Sequence, residues 1–199
     1  MSVASRPRLV VVTGAPGTGK TTLALRLAAT LSLLLLAKDR LKEPLMDALG
    51  VGDLATQQRI GAASYELVYR IATWSLDAAI GLVLEANFVR GRSEAGLRPL
   101  VARAEARQVV CVCDEATRRA RFAGRAERGD RHPGHLDRLV LDEWDERPVS
   151  AHAALDLSIP TLVVDTGDGR IPDDDEILRF VTSTRQNGHR ANNRHDRSS

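Results

Sequence analysis

The run Leu9–Leu27, LVVVTGAPGTGKTTLALRL, leaves this chain few ways to fold. Leu9 to Val12 is continuously apolar, as expected of a parallel strand buried on both faces. Thr13 leads into Gly14-Ala15-Pro16-Gly17-Thr18-Gly19-Lys20-Thr21, which matches G-x-x-x-x-G-K-[ST] in full. A helical pattern follows at once, with Leu23, Leu27 and Leu31 on one face and Ala24 and Ala28 beside them. Strand, glycine loop and helix in that order are the context a phosphate cradle requires. Glycines let the backbone turn and approach closely. The loop N–H groups then converge on an anion, with the positive end of the helix behind them. On this reading Gly14, Ala15, Pro16, Gly17, Thr18, Gly19, Lys20, Thr21 and Thr22 hold a nucleoside triphosphate. Lys20 is the cation for the β- and γ-phosphates, and the Thr21 hydroxyl is the Mg²⁺ ligand. A bare glycine turn or a dinucleotide loop would not need the Gly-Lys-Thr ending.

The remaining chain alternates strands with helices. Leu33 to Ala37, Leu82 to Phe88, Gln108 to Cys113 and Thr161 to Asp165 read as strands. Leu41 to Leu49, Ala55 to Ile80, Ser93 to Arg107, Glu115 to Glu127, Leu136 to Glu146 and Asp173 to Thr184 read as helices. That alternation implies an α/β fold, with a parallel sheet covered on both faces. With 199 residues there is room for one domain with a sizeable core, assigned to residues 1–185. Gln186 to Ser199 is polar and aperiodic and is expected to be a disordered tail. A net charge of +2 is too small to argue for nucleic acid by itself. No apolar run is long enough to span a bilayer, and no signal core precedes Arg8. Cys111 and Cys113 lack a set of further ligands, so they read as reduced core residues of a cytoplasmic protein. Lysine occurs only at Lys20, Lys38 and Lys42, all close to the proposed phosphate site.

Three further features carry chemistry. Asp39 follows the second strand, where open α/β sheets keep their ligands. A carboxylate there can take the proton of an acceptor hydroxyl; it can also cap the helix from Leu41. Lys42 either meets an acceptor phosphate or is solvated. Glu85 and Asn87 leave the third strand on one face. Glu85 either holds a Mg²⁺-bound water or binds the acceptor. Arg118, Arg121, Arg125 and Arg128 recur at helical spacing, with Ala116, Ala120 and Ala123 on another, packing face. Arg118 reads as solvated. Arg125 and Arg128 run into a Gly-Asp-Arg-His-Pro-Gly-His loop, and a lid over about residues 124–137 would bring them to a transferring phosphoryl group. His132 and His135 have no evident carboxylate or cysteine partner for a metal, and read as ordering that lid.

With VVVTGAPGTGKTTLA, LLAKDRLKEPL, LVLEANF and RRARFAGRAERGDRHPGH in place, the chain resembles the small AAA-type P-loop kinases, the group of zeta toxins, chloramphenicol phosphotransferase and polynucleotide 5′-kinases. The resemblance implies a three-layer P-loop nucleoside-triphosphate hydrolase fold, a five-stranded sheet of order 2-3-1-4-5 and a small helical lid. It also implies ATP and Mg²⁺, with Lys20, Asp39, Arg125 and Arg128 as catalytic residues and Asp39 as general base. Asp39, Lys42, Glu85 and Asn87 then face the acceptor. The activity so implied is transfer of the γ-phosphate to a hydroxyl of a small-molecule or nucleoside-like acceptor. A polynucleotide 5′-hydroxyl is the alternative; aromatic residues at 4% leave few platforms for stacking bases. A non-catalytic nucleotide-binding module is the second alternative.

Overall fold

The computed structural model describes residues 6–129, 132–135, 141, 144, 149–167 and 174–183. Five strands, β1 (Arg8–Thr13), β2 (Leu34–Ala37), β3 (Leu82–Glu85), β4 (Glu105–Val112) and β5 (Thr161–Asp165), form one sheet of order β2-β3-β1-β4-β5. Every pairing is parallel. The described helices are α1 (Lys20–Leu31), α2 (Lys38–Leu49), α3 (Leu54–Asp77), α4 (Glu94–Val101), α5 (Glu115–Arg128) and α6 (Asp174–Thr182). The expected tail, Gln186 to Ser199, and most of the expected helix from Leu136 to Glu146 lie outside the described residues.

β1 is the axis of the sheet, and its side chains divide the core. Alternate residues of a strand point to opposite faces. Leu9 and Val11 therefore join Val68, Ala72 and Leu76 of α3 and Leu97 and Leu100 of α4. Val10 and Val12 join Leu23 and Leu27 of α1 and Ile177 and Val181 of α6. Each of the four β1 residues is fully buried, which is why their sequence shows no polar alternation.

Several boundaries differ from the sequence pattern. The fourth strand starts at Glu105 instead of Gln108, and α4 stops at Val101 instead of Arg107. Pairing of Arg8 with Glu105 and Leu9 with Ala106 recruits these residues into the sheet. Arg107 is buried there because its guanidinium donates to the Ala106 and Ser183 carbonyls. Trp74, a large apolar residue of α3, is 63% exposed. The second helix begins at Lys38, directly after β2, with extended Ala37 at its cap position. Asp39 is therefore in its first turn and does not cap it. Pro44 falls in the helix interior, where its missing N–H leaves the Arg40 carbonyl without the usual partner.

α5 is turned over relative to expectation. Ala116 and Ala120 are exposed, while Arg118 and Phe122 are buried. The Arg118 guanidinium lies 4.9 Å from the centre of the Trp144 ring and pairs with Glu115. Phe122 packs on the same ring at 5.2 Å. Trp144 also donates its indole N–H to Glu115. A sequence pattern treats arginine as polar, but its long stem and planar head can cover apolar surface and stack on an aromatic ring. Arg118→Ala is expected to cost about 2 kcal/mol through lost stacking and packing. In a chain of this size that lowers the melting temperature by about 4–8 °C, readable by circular dichroism. An unchanged melting temperature would return Arg118 to the solvated face.

Candidate active site

The site is assembled at the carboxyl ends of β1, β2 and β3. Register alone brings its parts together: Glu85 closes β3 between Val12 of β1 and Ala37 of β2. The glycine loop leaves just beyond Val12, and Asp39 lies two residues beyond Ala37. Their close approach is a property of the parallel sheet, since the two segments are far apart in the chain.

The loop is held in shape from outside. Gly14 has φ +150°, and a Cβ there would lie 2.4 Å from the Cys111 carbonyl oxygen. At Gly17, φ is +86° and a Cβ would lie 2.5 Å from the Arg118 carbonyl oxygen. Any side chain at either place would collide with backbone of β4 or α5. Thr18, 2% exposed, donates its hydroxyl to the Ala15 carbonyl at 2.9 Å. The Thr18 carbonyl accepts from the Thr166 hydroxyl at 2.7 Å, and Arg121 donates to the Thr166 carbonyl at 2.7 Å. Thus the loop is braced against the end of β5 through a residue that no phosphate-loop motif contains. Gly19, with φ 74°, stands at the N-cap of α1, so Lys20 and Thr21 begin the helix.

A cavity of about 430 Å³ opens beside this loop. Pro16, Lys20, Thr21, Asp39, Lys42, Glu85, Asn87 and Arg125 line it, together with Lys38, Arg40, Glu43, Phe122 and His135. All three lysines of the chain therefore face one space. Gly14, Ala15, Gly17, Thr18 and Gly19 shape the loop without lining the cavity, Thr22 is exposed on α1, and Arg128 is exposed at the end of α5.

The electrostatics is that of charges taken out of water together. Burial pushes the Lys20 ammonium below its ordinary pKa, against the opposing pull of Glu85 and Asp39. Burial likewise raises Glu85, which is 4% exposed, while Lys20 and a hydrogen bond from Thr21 draw it back. Behind the loop, the Cys111 thiol is pushed up to about 12 by burial, so it stays protonated and inert. Asn87 is anchored by its backbone carbonyl, which accepts from the Tyr65 hydroxyl at 3.1 Å.

His132 and His135 do have carboxylate partners. His135 Nε2 is 2.9 Å from Glu43 Oε1, and His132 Nε2 is 3.0 Å from Asp47 Oδ1. Glu43 and Asp47 stand four apart on α2, one turn of the helix that also carries Asp39. These pairs tie residues 132–135 to α2, and no group of three metal-ligating side chains occurs among the described residues. The sequence places Lys38 near the phosphate site without giving it a role, and does not single out Glu43. Glu43 is within reach of spacing, being four residues after Asp39; the partners of Lys38 needed the tertiary structure.

A parallel sheet of order 2-3-1-4-5, a Gly-Lys-Thr loop after its central strand, and carboxylates at the end of β3 and just beyond β2 define a P-loop nucleotide-binding protein of the small-kinase type. The chain belongs to the AAA domain family, whose model matches residues 9–148. It is similar to a protein of Chloroflexus aurantiacus j-10-fl assigned as a kinase, at 33% identity over 89% of this chain and 97% of that one, with a TM-score of 0.77. A sugar kinase from Janibacter sp. HTCC2649 shares the fold at 17% identity, over 88% of this chain and 94% of that one, with a TM-score of 0.60. The APS kinase CysC of Mycobacterium tuberculosis shares it at 18% identity, over 90% of this chain and 99% of that one, with a TM-score of 0.56. No curated protein matches the chain. No described helix is long and apolar enough to cross a membrane.

Proposed function

We propose that the protein is an ATP- and Mg²⁺-dependent kinase that transfers the γ-phosphate to a hydroxyl group of a small-molecule or nucleoside-like acceptor. The observation that carries this reading is that Lys20, Asp39, Glu85 and Arg125, drawn from four separate segments, line one cavity. A module that only bound nucleotide would need the loop and not the opposing carboxylate.

The donor set suits both partners. Backbone N–H groups of the Gly14–Thr21 loop and the start of α1 would hold the triphosphate, with Lys20 as its cation. The Thr21 hydroxyl and Glu85 carboxylate, hydrogen-bonded to each other, supply the hard oxygens Mg²⁺ prefers, directly or through water. Bound there, the ion would neutralise charge on the phosphate oxygens. Asp39 accepts the proton of the acceptor hydroxyl and orients it for in-line attack. Lys42, Asn87 and Glu85 flank the acceptor. Arg125, whose guanidinium lies 5.0 Å from the Phe122 ring centre, stabilises the charge of the transferring group. Among the described residues, Phe122 is the sole Phe, Tyr or Trp lining the cavity, which favours a small acceptor over an extended nucleic-acid strand.

Labelled ATP, with Mg²⁺, should be offered to sugars, nucleosides, aminoglycoside and phenicol antibiotics, and oligonucleotides with 5′-hydroxyl ends. Label in a small-molecule acceptor is the expected result; label confined to oligonucleotides would move the assignment to a polynucleotide 5′-kinase. Binding of nucleotide with no labelled acceptor in any class counts against catalysis.

The lid arginines separate in the same assay. Arg125→Ala is expected to lower turnover by roughly 10²–10³-fold, with a smaller change in ATP affinity, because lid contacts tighten on closure. Arg128, exposed and outside the cavity lining, contributes only on closure, and Arg128→Ala should cost a few-fold. Equal losses for both would mean that Arg128 reaches the phosphoryl group as Arg125 does. No loss in Arg125→Ala would remove it from catalysis.

A further inference from the structure

We infer that Lys38 is a positioning residue for Asp39: its buried ammonium, held against the Tyr65 ring, orients the Asp39 carboxylate. The inference rests on the reading of Asp39 as general base. Three observations carry it. The Lys38 side chain is only 11% exposed, although lysine is almost never buried without a partner, and its Nζ lies 2.8 Å from Asp39 Oδ1. The same Nζ lies 5.3 Å from the centre of the Tyr65 ring, within cation–π range. Tyr65 is itself fixed, with its hydroxyl on the Asn87 carbonyl and its ring against Phe88 at 6.0 Å and Tyr69 at 6.2 Å.

Adjacent residues on a helix do not face one another. Pairing of Lys38 with Asp39 therefore needs something that bends the lysine around the helix end, and the Tyr65 face on α3 does so. The consequence is a fixed line from α3 through the ammonium to Oδ1. A carboxylate anchored at one oxygen loses the rotation that would point its proton-accepting lone pair away from the acceptor. The neighbouring positive charge also favours the ionised form, the only form that can accept a proton.

The test is the titration of Asp39 itself, followed in the full chain by ¹³C-carboxyl NMR, with the resonance assigned by its loss in Asp39→Asn. Lys20 of α1, Glu85 of β3, Arg125 of α5, His135, and Arg40, Lys42 and Glu43 of α2 also face this space. They are unchanged between the variants compared, so a difference belongs to Lys38. With the Asp39 side chain 41% exposed, Lys38→Gln should move the Asp39 midpoint up by about half a pH unit, and Lys38→Arg should leave it near wild type. Hydrolysis of MgATP with water as acceptor should lose its acid limb at a correspondingly higher pH in Lys38→Gln. An unmoved midpoint in folded Lys38→Gln overturns the proposal. So does the unfolding of both Lys38→Gln and Lys38→Met when Lys38→Arg folds, because the ammonium then serves the fold. Failure of the base reading looks different: Asp39→Asn would transfer phosphate undiminished, whatever the midpoint does in the Lys38 variants.

Discussion

Lys20→Ala is expected to reduce phosphoryl transfer by roughly 10²–10³-fold, the loss seen when one preorganised charge donor is removed from a developing anion. Of the cavity cations, Lys20 alone belongs to the phosphate-loop motif, and burial draws its ammonium away from water and lowers its proton affinity. A charge stripped of water interacts more strongly with phosphate oxygens than one at the surface. The fold should survive, because the variant also removes the cost of burying that charge. Without it, Glu85 loses the nearby positive charge that opposes the effect of its burial and will bind a proton more readily. Initial rates at saturating MgATP, beside a thermal melt, check both parts. A wild-type rate would dismiss the phosphate-loop assignment, and a collapsed melt would make Lys20 a structural residue.

Asp39→Asn is expected to slow transfer by about 10²–10⁴-fold, the worth of a general base, while MgATP binding persists. Asp39 lies in the first turn of α2 and not at its cap, so asparagine gives up the favourable term of a carboxylate near a helix N-terminus and the pairing with Lys38. Together these cost about 1–2 kcal/mol, which leaves the protein folded at assay temperature. Rate and nucleotide affinity should thus part company. If the rate is undiminished, the base lies elsewhere, and Glu85 is the first alternative, since it lines the same cavity and burial raises its proton affinity.

Most of the fold was legible in the chain because parallel strands buried on both faces have no polar positions to confuse the pattern. Leu9–Val12 and Leu82–Leu84 are strands where the apolar runs lie, whereas β5, at the sheet edge, is mostly exposed and reads as a strand by its β-branched residues. Errors fell where burial and polarity disagree. Arg107 is buried in β4 and Arg118 under Trp144, yet both count as polar in any periodicity. That miscount placed Arg107 in a helix and turned α5 inside out. The start of α2 was misjudged for a related reason: Lys38 and Asp39 read as loop residues, whereas they form the first turn of a helix that follows β2 without a loop.

Sequence alone determined the phosphate loop, because its glycines, lysine and threonine act through neighbouring backbone and need only a strand before them and a helix after. It also placed Asp39, Glu85 and Asn87 at strand ends, where a parallel sheet exposes its ligands. Only the tertiary structure decided which of these meet. Strand register set Glu85 between Ala37 and Val12. The packing of α3 on α2 brought Tyr65 to Lys38, and residues 132–135 found Glu43 and Asp47 across 92 and 85 positions of chain. Such contacts have no period and no spacing to read. They arise when distant segments are pressed together by burial of the core, and their partners are chosen by geometry that no local pattern encodes.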